Sequence, residues 1–523
     1  MARDEFDAVV VGSGFGGAVA ALRLAEAGRR VCVVERGRSY EDHAFPRDPF
    51  DAPALLWRHP GRRDWTGLYD LRVLSGLLTL GSAGLGGGSL VFANVLIRPD
   101  ERVFDARWPD GLDLAALAPF YERVETEIEP SPIPQTVDLA KDQVMRRAVE
   151  GLRRAGDLAP APLGVDWDTC RLVAECEFGC PFGAKRTLDM TYIAGARKLG
   201  AEVRTSTRAI GIEPAAGGFR VHVASVPGRE RSIIRARKVV LAAGTLGTVE
   251  LLLRSRDQHG TLPRLSRRLG ERFSANGDFI GLIVDTADAL EPWRGPDVTS
   301  VLRAFDEEPG ITIATPTFAA PMMAALAGSG QLDAGMLGPV GPWLWPWLDD
   351  IAPMLLGNPV GQALLRRFVG RPFDGTAMAS ARHATVAFAI GRDSGSGRLV
   401  LGKRPVTTGT RLDVDWDYAA ENIDLLSRQQ RLLNELAAAY GGRFVPSPMW
   451  SLAGRTGTVH PLGGAVMGDT AEQGVVSAHG EVHGYPGLYV TDGSVIPTSI
   501  GFHPALTIAA NAERIAQAIA SAS

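Results

Sequence analysis

The sequence predicts an α/β protein, α+β overall: a Rossmann-like dinucleotide-binding domain interrupted by a domain built on an antiparallel sheet. Three observations carry this. The chain opens as strand, glycine-rich turn, helix, strand and acid between Phe6 and Glu35. A second glycine cluster lies between apolar runs at Gly81–Ser89. Late in the chain, short apolar strands precede a long amphipathic helix.

The first element is the valine-rich strand Phe6–Val11. Gly12-Ser-Gly14-Phe-Gly-Gly17 follows, then a helix over Ala18–Ala27 stopped by Gly28, then the strand Val31–Val34 and Glu35. Gly12 permits the tight turn, Gly14 lets the backbone approach a pyrophosphate, and Gly17 lets helix and strand pack closely. The helix N-terminus offers unpaired N–H groups and the positive end of its dipole to the phosphates. Glu35 is placed to accept hydrogen bonds from a ribose, which favours an unphosphorylated one and disfavours NADP. This motif by itself does not separate FAD from NAD.

At 523 residues the chain is too long for one simple core, so two joined domains are expected. With 45% hydrophobic and 22% charged residues it falls in the soluble globular class. A net charge of −4 gives no reason to expect nucleic acid as a partner. Only four cysteines are present, which suggests a reducing compartment. Met1–Asp7 is charged and leaves no room for a secretory leader, so a cytoplasmic location is expected. The most apolar uncharged stretch, Ile311–Leu332, contains Pro316, Pro321, Gly328 and Gly330, which suit a spanning helix poorly.

The second cluster reads Gly81-Ser-Ala-Gly84-Leu-Gly86-Gly87-Gly88-Ser89, followed by Leu-Val-Phe-Ala-Asn94. So many glycines disfavour any regular interior. Flanking apolar runs argue against a flexible linker and for a buried backbone platform on which a flat ring could lie. This segment resembles the first signature of the glucose–methanol–choline (GMC) oxidoreductases. Ala243-Gly244-Thr-Leu-Gly-Thr-Val-Glu-Leu-Leu-Leu253 resembles their second. His460-Pro-Leu-Gly-Gly464, Tyr489-Val-Thr-Asp492-Gly493-Ser and His503-Pro504 resemble their C-terminal block. Cys180-Pro-Phe-Gly-Ala-Lys-Arg-Thr-Leu-Asp189 is similar to the bacterial cholesterol-oxidase-type branch, and the likeness is spread over the whole chain.

The resemblance implies a GMC-type FAD-binding domain made of residues 1–100, 160–275 and 455–523, a substrate domain over 276–454, and a connecting helical segment over 101–159. In the substrate domain Val386–Ile390, Arg398–Leu401 and Arg411–Trp416 read as strands of an antiparallel sheet, and Glu421–Tyr440 as a helix stopped by Gly441-Gly442. The resemblance also implies that Gly86, Gly87, Gly88, Ser89 and Asn94 pass beside the flavin and that Asp492 and Gly493 contact its ribityl or phosphate region. Ala243, Gly244 and Pro504 belong to the same expected cofactor set. No His, Cys or Tyr occurs between Leu71 and Pro99, so non-covalent FAD is expected.

Oxidising an alcohol removes a hydride, which the flavin accepts at N5, and a proton, which needs a base. Of nine histidines, His460 and His503 stand at the family positions; His383 is a weaker candidate. His460 is expected to accept the hydroxyl proton and His503 to orient the hydroxyl. The cholesterol-oxidase branch typically carries Asn at the second position, so this chain departs from it. The helix after Pro504 is expected to point its N-terminus at the ring and to favour negative charge there.

The substrate expected is an apolar alcohol, sterol-like, terpenoid or polycyclic, with oxygen or another electron acceptor as the second partner. Trp343, Trp345 and Trp347, in an apolar stretch from Phe318 to Phe368, read equally as a lid able to touch a membrane transiently or as core or subunit interface. A dehydrogenase using a quinone or protein acceptor, a tailoring enzyme coupling oxidation to isomerisation or ring formation, and a non-redox lyase remain alternatives. Cys170, Cys176 and Cys180 match no standard zinc or iron–sulfur spacing, and no metal is expected. The oligomeric state stays open.

Overall fold

Val31–Val34, Glu5–Val11, Arg231–Leu241 and Leu488–Val490 lie side by side in parallel, with Glu202–Arg204 on the outer edge of Val31–Val34. Gly218–Ser225 and Thr207–Ala215 continue the sheet from Arg231–Leu241 as an antiparallel meander. The computed structural model describes residues 5–47, 51–58, 65–228, 230–329, 375–403 and 409–521. The valine-rich runs occupy the centre because both faces of a covered parallel sheet are dry; Val9, Val10, Val33, Val239 and Val240 are fully buried. Each such side chain stabilises the fold by about 1.5–3 kcal/mol relative to exposure.

The helix Phe15–Glu26 packs on this sheet. Gly12 has φ +100°, the left-handed region, and a Cβ there would stand 2.2 Å from the Ala242 carbonyl oxygen. A Cβ at Gly17 would stand 2.0 Å from the Gly12 carbonyl oxygen, so the close helix–strand approach requires glycine.

A second sheet is antiparallel throughout, in the order Arg443–Pro446, Phe279–Val284, Thr385–Gly391, Ile311–Ala314, Ser300–Ala304, Leu158–Pro160. Arg398–Lys403 and Thr410–Asp415 correct the sequence expectation. They pair with each other and do not join the strand at Val386–Ile390. Leu399 instead donates its N–H to the Gly270 carbonyl and buries its side chain in the main core, near Gly464. The amphipathic helix spans Ile423–Ala439, two residues shorter at its start than expected, because Asp417 caps a separate turn over Tyr418–Glu421. Among the described residues no helix is long and apolar enough to cross a membrane. The tryptophans of the 318–368 stretch lie outside the described residues.

Candidate active site

In the register of the parallel sheet Val11 sits beside Val34 and Leu241, and Leu241 beside Val490. The residues that follow these strands therefore emerge at one edge: Gly12, Glu35, Ala243-Gly244 and Asp492-Gly493. The carboxyl ends of parallel strands are where open α/β sheets bind ligands. Here they line a cavity of about 2220 Å³ that also reaches Gly14, Gly87, Gly88, His460, His503 and Pro504.

The cavity wall fits a dinucleotide. Glu35 accepts hydrogen bonds from Ser13 N–H and Oγ and from Gly37 N–H, which hold its carboxylate at the cavity. A Cβ at Gly88 or Gly244 would meet no heavy atom within 4 Å, so these positions open onto free space that a ligand can fill. Gly87 has φ +55° and abuts Gly14, so the two glycine clusters form one surface. Both amide atoms of Asn94 are buried without a hydrogen-bond partner among the described residues.

Not every expected residue lines the wall. Gly17, Gly86, Ser89 and Asn94 lie behind it, although Ala93 and Val95 reach it. Ser89 Oγ donates to the Gly86 carbonyl and accepts from Leu188 N–H, and so shapes the platform. Asp492 accepts from Thr248 Oγ1 and from Ser494 N–H and Oγ, capping the turn Gly493–Val495.

His460 follows the strand Thr456–Thr458 and His503 precedes the helix Ala505–Ser521; their ring centroids are 5.4 Å apart and nearly perpendicular. His460 Nδ1 donates to Asp278 Oδ1 at 2.9 Å. Asp278 is fully buried, and its Oδ2 accepts from Thr458 Oγ1 and Val459 N–H, both at 2.9 Å. Fixing Nδ1–H in this way leaves Nε2 as the basic nitrogen of His460. His503 is buried, and its Nδ1 has no hydrogen-bond partner among the described residues. Burial, with the neighbouring His460 second, holds its pKa well below the usual histidine range, so the ring is neutral at neutral pH. His383 lies elsewhere and bonds the Thr286 carbonyl oxygen.

The sequence reading missed Asp278, which is 182 residues from His460 with no motif around it. It also missed Glu177, beside Phe178, Val298, Phe318, Met322 and Phe388 in the cavity lining. Burial, with Asp297 second, raises the Glu177 carboxyl from 4.5 to about 8. Lys185 Nζ is held nearby by the Leu90, Phe92 and Cys176 carbonyls. A raised carboxyl contributes stability below its unfolded value that is lost as pH rises through the folded one. Glu177→Gln is therefore expected to raise Tm by about 2–4 °C at pH above 8 and to change it little near pH 4.5, as calorimetry across pH would read. Burial likewise pushes the Cys176 thiol up. No group of three potential metal ligands occurs among the described residues.

Two family models described as GMC oxidoreductase match residues 6–273 and 393–512. The chain is 30% identical to a cholesterol oxidase of Mycobacterium tuberculosis, over 98% of this chain and 91% of that protein. It is 26% identical to a cholesterol oxidase of Acinetobacter baumannii, over 98% and 93%. It is 25% identical to a long-chain-alcohol oxidase of Arabidopsis thaliana, over 98% and 67%. Among solved structures, a fungal aryl-alcohol oxidase superposes with a TM-score of 0.62 at 18% identity, covering 99% of each chain. Pyridoxine 4-oxidase from Mesorbium loti superposes at 0.63 and 17% identity, covering 98% of each.

Proposed function

The chain belongs to the GMC oxidoreductases, FAD-dependent enzymes of alcohol oxidation, and from that premise we propose that it oxidises a bulky apolar alcohol to a carbonyl compound with oxygen as acceptor. The observation that carries the reading is the pairing of His460 and His503 in the same cavity that the dinucleotide motif lines. A volume of about 2220 Å³ exceeds the roughly 300–1,000 Å³ of a single-ligand pocket, leaving room for a dinucleotide and a large substrate. Phe178, Phe318, Met322, Leu326 and Phe388 in its lining favour an apolar one. The relatives named cholesterol oxidase and long-chain-alcohol oxidase support both the substrate class and the acceptor.

Gly12, Gly14, Glu35, Gly87, Gly88, Gly244, Asp492 and Pro504 would hold FAD, with Gly17, Gly86, Ser89, Asn94, Ala243 and Gly493 shaping that cradle. Bound FAD supplies the hydride acceptor. His460 takes the hydroxyl proton at Nε2, and the buried Asp278 carboxylate stabilises the imidazolium that results. Neutral His503 adds no positive charge to oppose that protonation, and its ring can hold the hydroxyl in place. The sheet carrying Phe388 and the 276–454 region would form the substrate side, and the remaining segments the cofactor side. Without a His, Cys or Tyr between Leu71 and Pro99 to tether it, the flavin is held non-covalently, so acid precipitation is expected to release all of it into solution.

The test is anaerobic mixing with 3-hydroxysteroids, terpenoid alcohols, long-chain alcohols, choline and sugars. Rapid bleaching of flavin absorbance by one apolar class is expected, with peroxide on readmitting air. Bleaching by choline or sugars alone would sink the substrate assignment. Bleaching with no peroxide would replace oxygen by another acceptor.

A further inference from the structure

We infer that the loop Ser274–Asp278 positions both histidines at once, with Asp278 acting on His460 and Asn276 on His503. The inference rests on the reading of those histidines as the acid–base pair. The loop is a sharp turn: Asn276 and Gly277 are both left-handed, with φ +53° and +61°. A Cβ at Gly277 would stand 2.3 Å from the Gly391 carbonyl oxygen, so the turn is pressed against the antiparallel sheet. Successive N–H groups of such a turn converge on one anion. Here the buried Asp393 carboxylate accepts from Ala275 N–H at 2.9 Å, Gly277 N–H at 3.0 Å and Ser274 Oγ at 2.7 Å, and from Gly395 N–H at 3.1 Å.

From this clamped turn two arms extend. Asp278 reaches His460 Nδ1 and Thr458 Oγ1, and Thr458 Oγ1 accepts in turn from His460 N–H at 2.9 Å. Asn276 is fully buried and reaches the other way. Its Nδ2 donates to the Phe502 carbonyl, the peptide leading into His503, at 2.7 Å. Its Oδ1 accepts from Ile500 N–H and Gly501 N–H at 3.0 Å and from Ser499 Oγ at 3.3 Å. The His503 ring has no hydrogen bond at Nδ1 to fix it, so its placement depends on the backbone that Asn276 holds. The two histidines stand on segments with no covalent closeness, and this turn bonds to both. It also explains why neither arm touches the cavity: the residues act through the rings and are positioning residues.

The experiment uses the FAD-loaded protein with isotopically labelled histidine, His460→Gln and His503→Gln assigning the two rings by NMR. Asn276→Asp keeps the acceptor side of the network and removes the Nδ2 donor; Asp278→Asn removes the carboxylate. Expected is a changed ring signature of His503 in Asn276→Asp and a changed tautomer balance of His460 in Asp278→Asn, with FAD retained in both. With the alcohol found active, Asn276→Asp is expected to slow flavin reduction by about 10²-fold without weakening alcohol binding, and to add nothing in a His503→Gln background. Unchanged ring spectra with only a lowered Tm, or rate losses that multiply in the double variant, would overturn the inference. If no alcohol reduces the wild-type flavin, the proposed function fails while the ring spectra still decide the positioning role.

Discussion

His460→Gln is expected to slow alcohol-dependent flavin reduction by about 10²–10⁴-fold, the range a positioned general base contributes, while FAD stays bound. Glutamine preserves much of the side chain's length but cannot take a proton at neutral pH. The loss should appear in the reduction rate measured by anaerobic stopped flow. Alcohol affinity should change much less, because the base acts on the transition state more than on the bound alcohol. His460 is 12% exposed at its side chain and Asp278 is fully enclosed, so the charge formed on the ring during proton transfer meets a carboxylate in a poorly screened setting. A variant that reduced its flavin at the wild-type rate would move the base elsewhere in the cavity, with Glu177 the next carboxyl to examine.

Gly87→Ala is expected to lower the apoprotein's Tm, through a stability loss of about 2–5 kcal/mol, and to weaken FAD binding by displacing Gly14. Its Cβ would lie 2.6 Å from Gly14 Cα and 2.9 Å from Gly14 N, both backbone atoms that cannot swing aside. Left-handed backbone strain of about 1–2 kcal/mol adds to overpacking of about 1–3 kcal/mol, and displacing Gly14 moves the turn that cradles the pyrophosphate. Gly88→Ala separates the two causes. A Cβ there meets nothing within 4 Å, so the apoprotein should keep its Tm while FAD titration shows weaker binding from ligand contact alone. Wild-type affinity in Gly87→Ala would mean that the two glycine clusters do not form one cradle.

The amino-acid sequence by itself determined the strand, turn, helix, strand and acid between Phe6 and Glu35, and the helix after Pro504. Each is a local pattern: periodicity, a φ only glycine adopts easily, a cap. The motifs also marked His460 and His503, since each stands in a short recognisable segment. Tertiary structure alone decided the rest. Gly12, Glu35, Gly244 and Asp492 meet because parallel register aligns the ends of four strands. Arg398–Lys403 pairs with Thr410–Asp415 and stays outside the six-stranded sheet, and alternation of residue types does not say which strand a strand will pair with. Asp278, Asn276 and Glu177 sit in segments with no distinguishing pattern. What makes them matter is a hydrogen bond spanning 182 residues, another spanning 226, and burial beside a second carboxylate, and these interactions exist only once the chain has closed on itself.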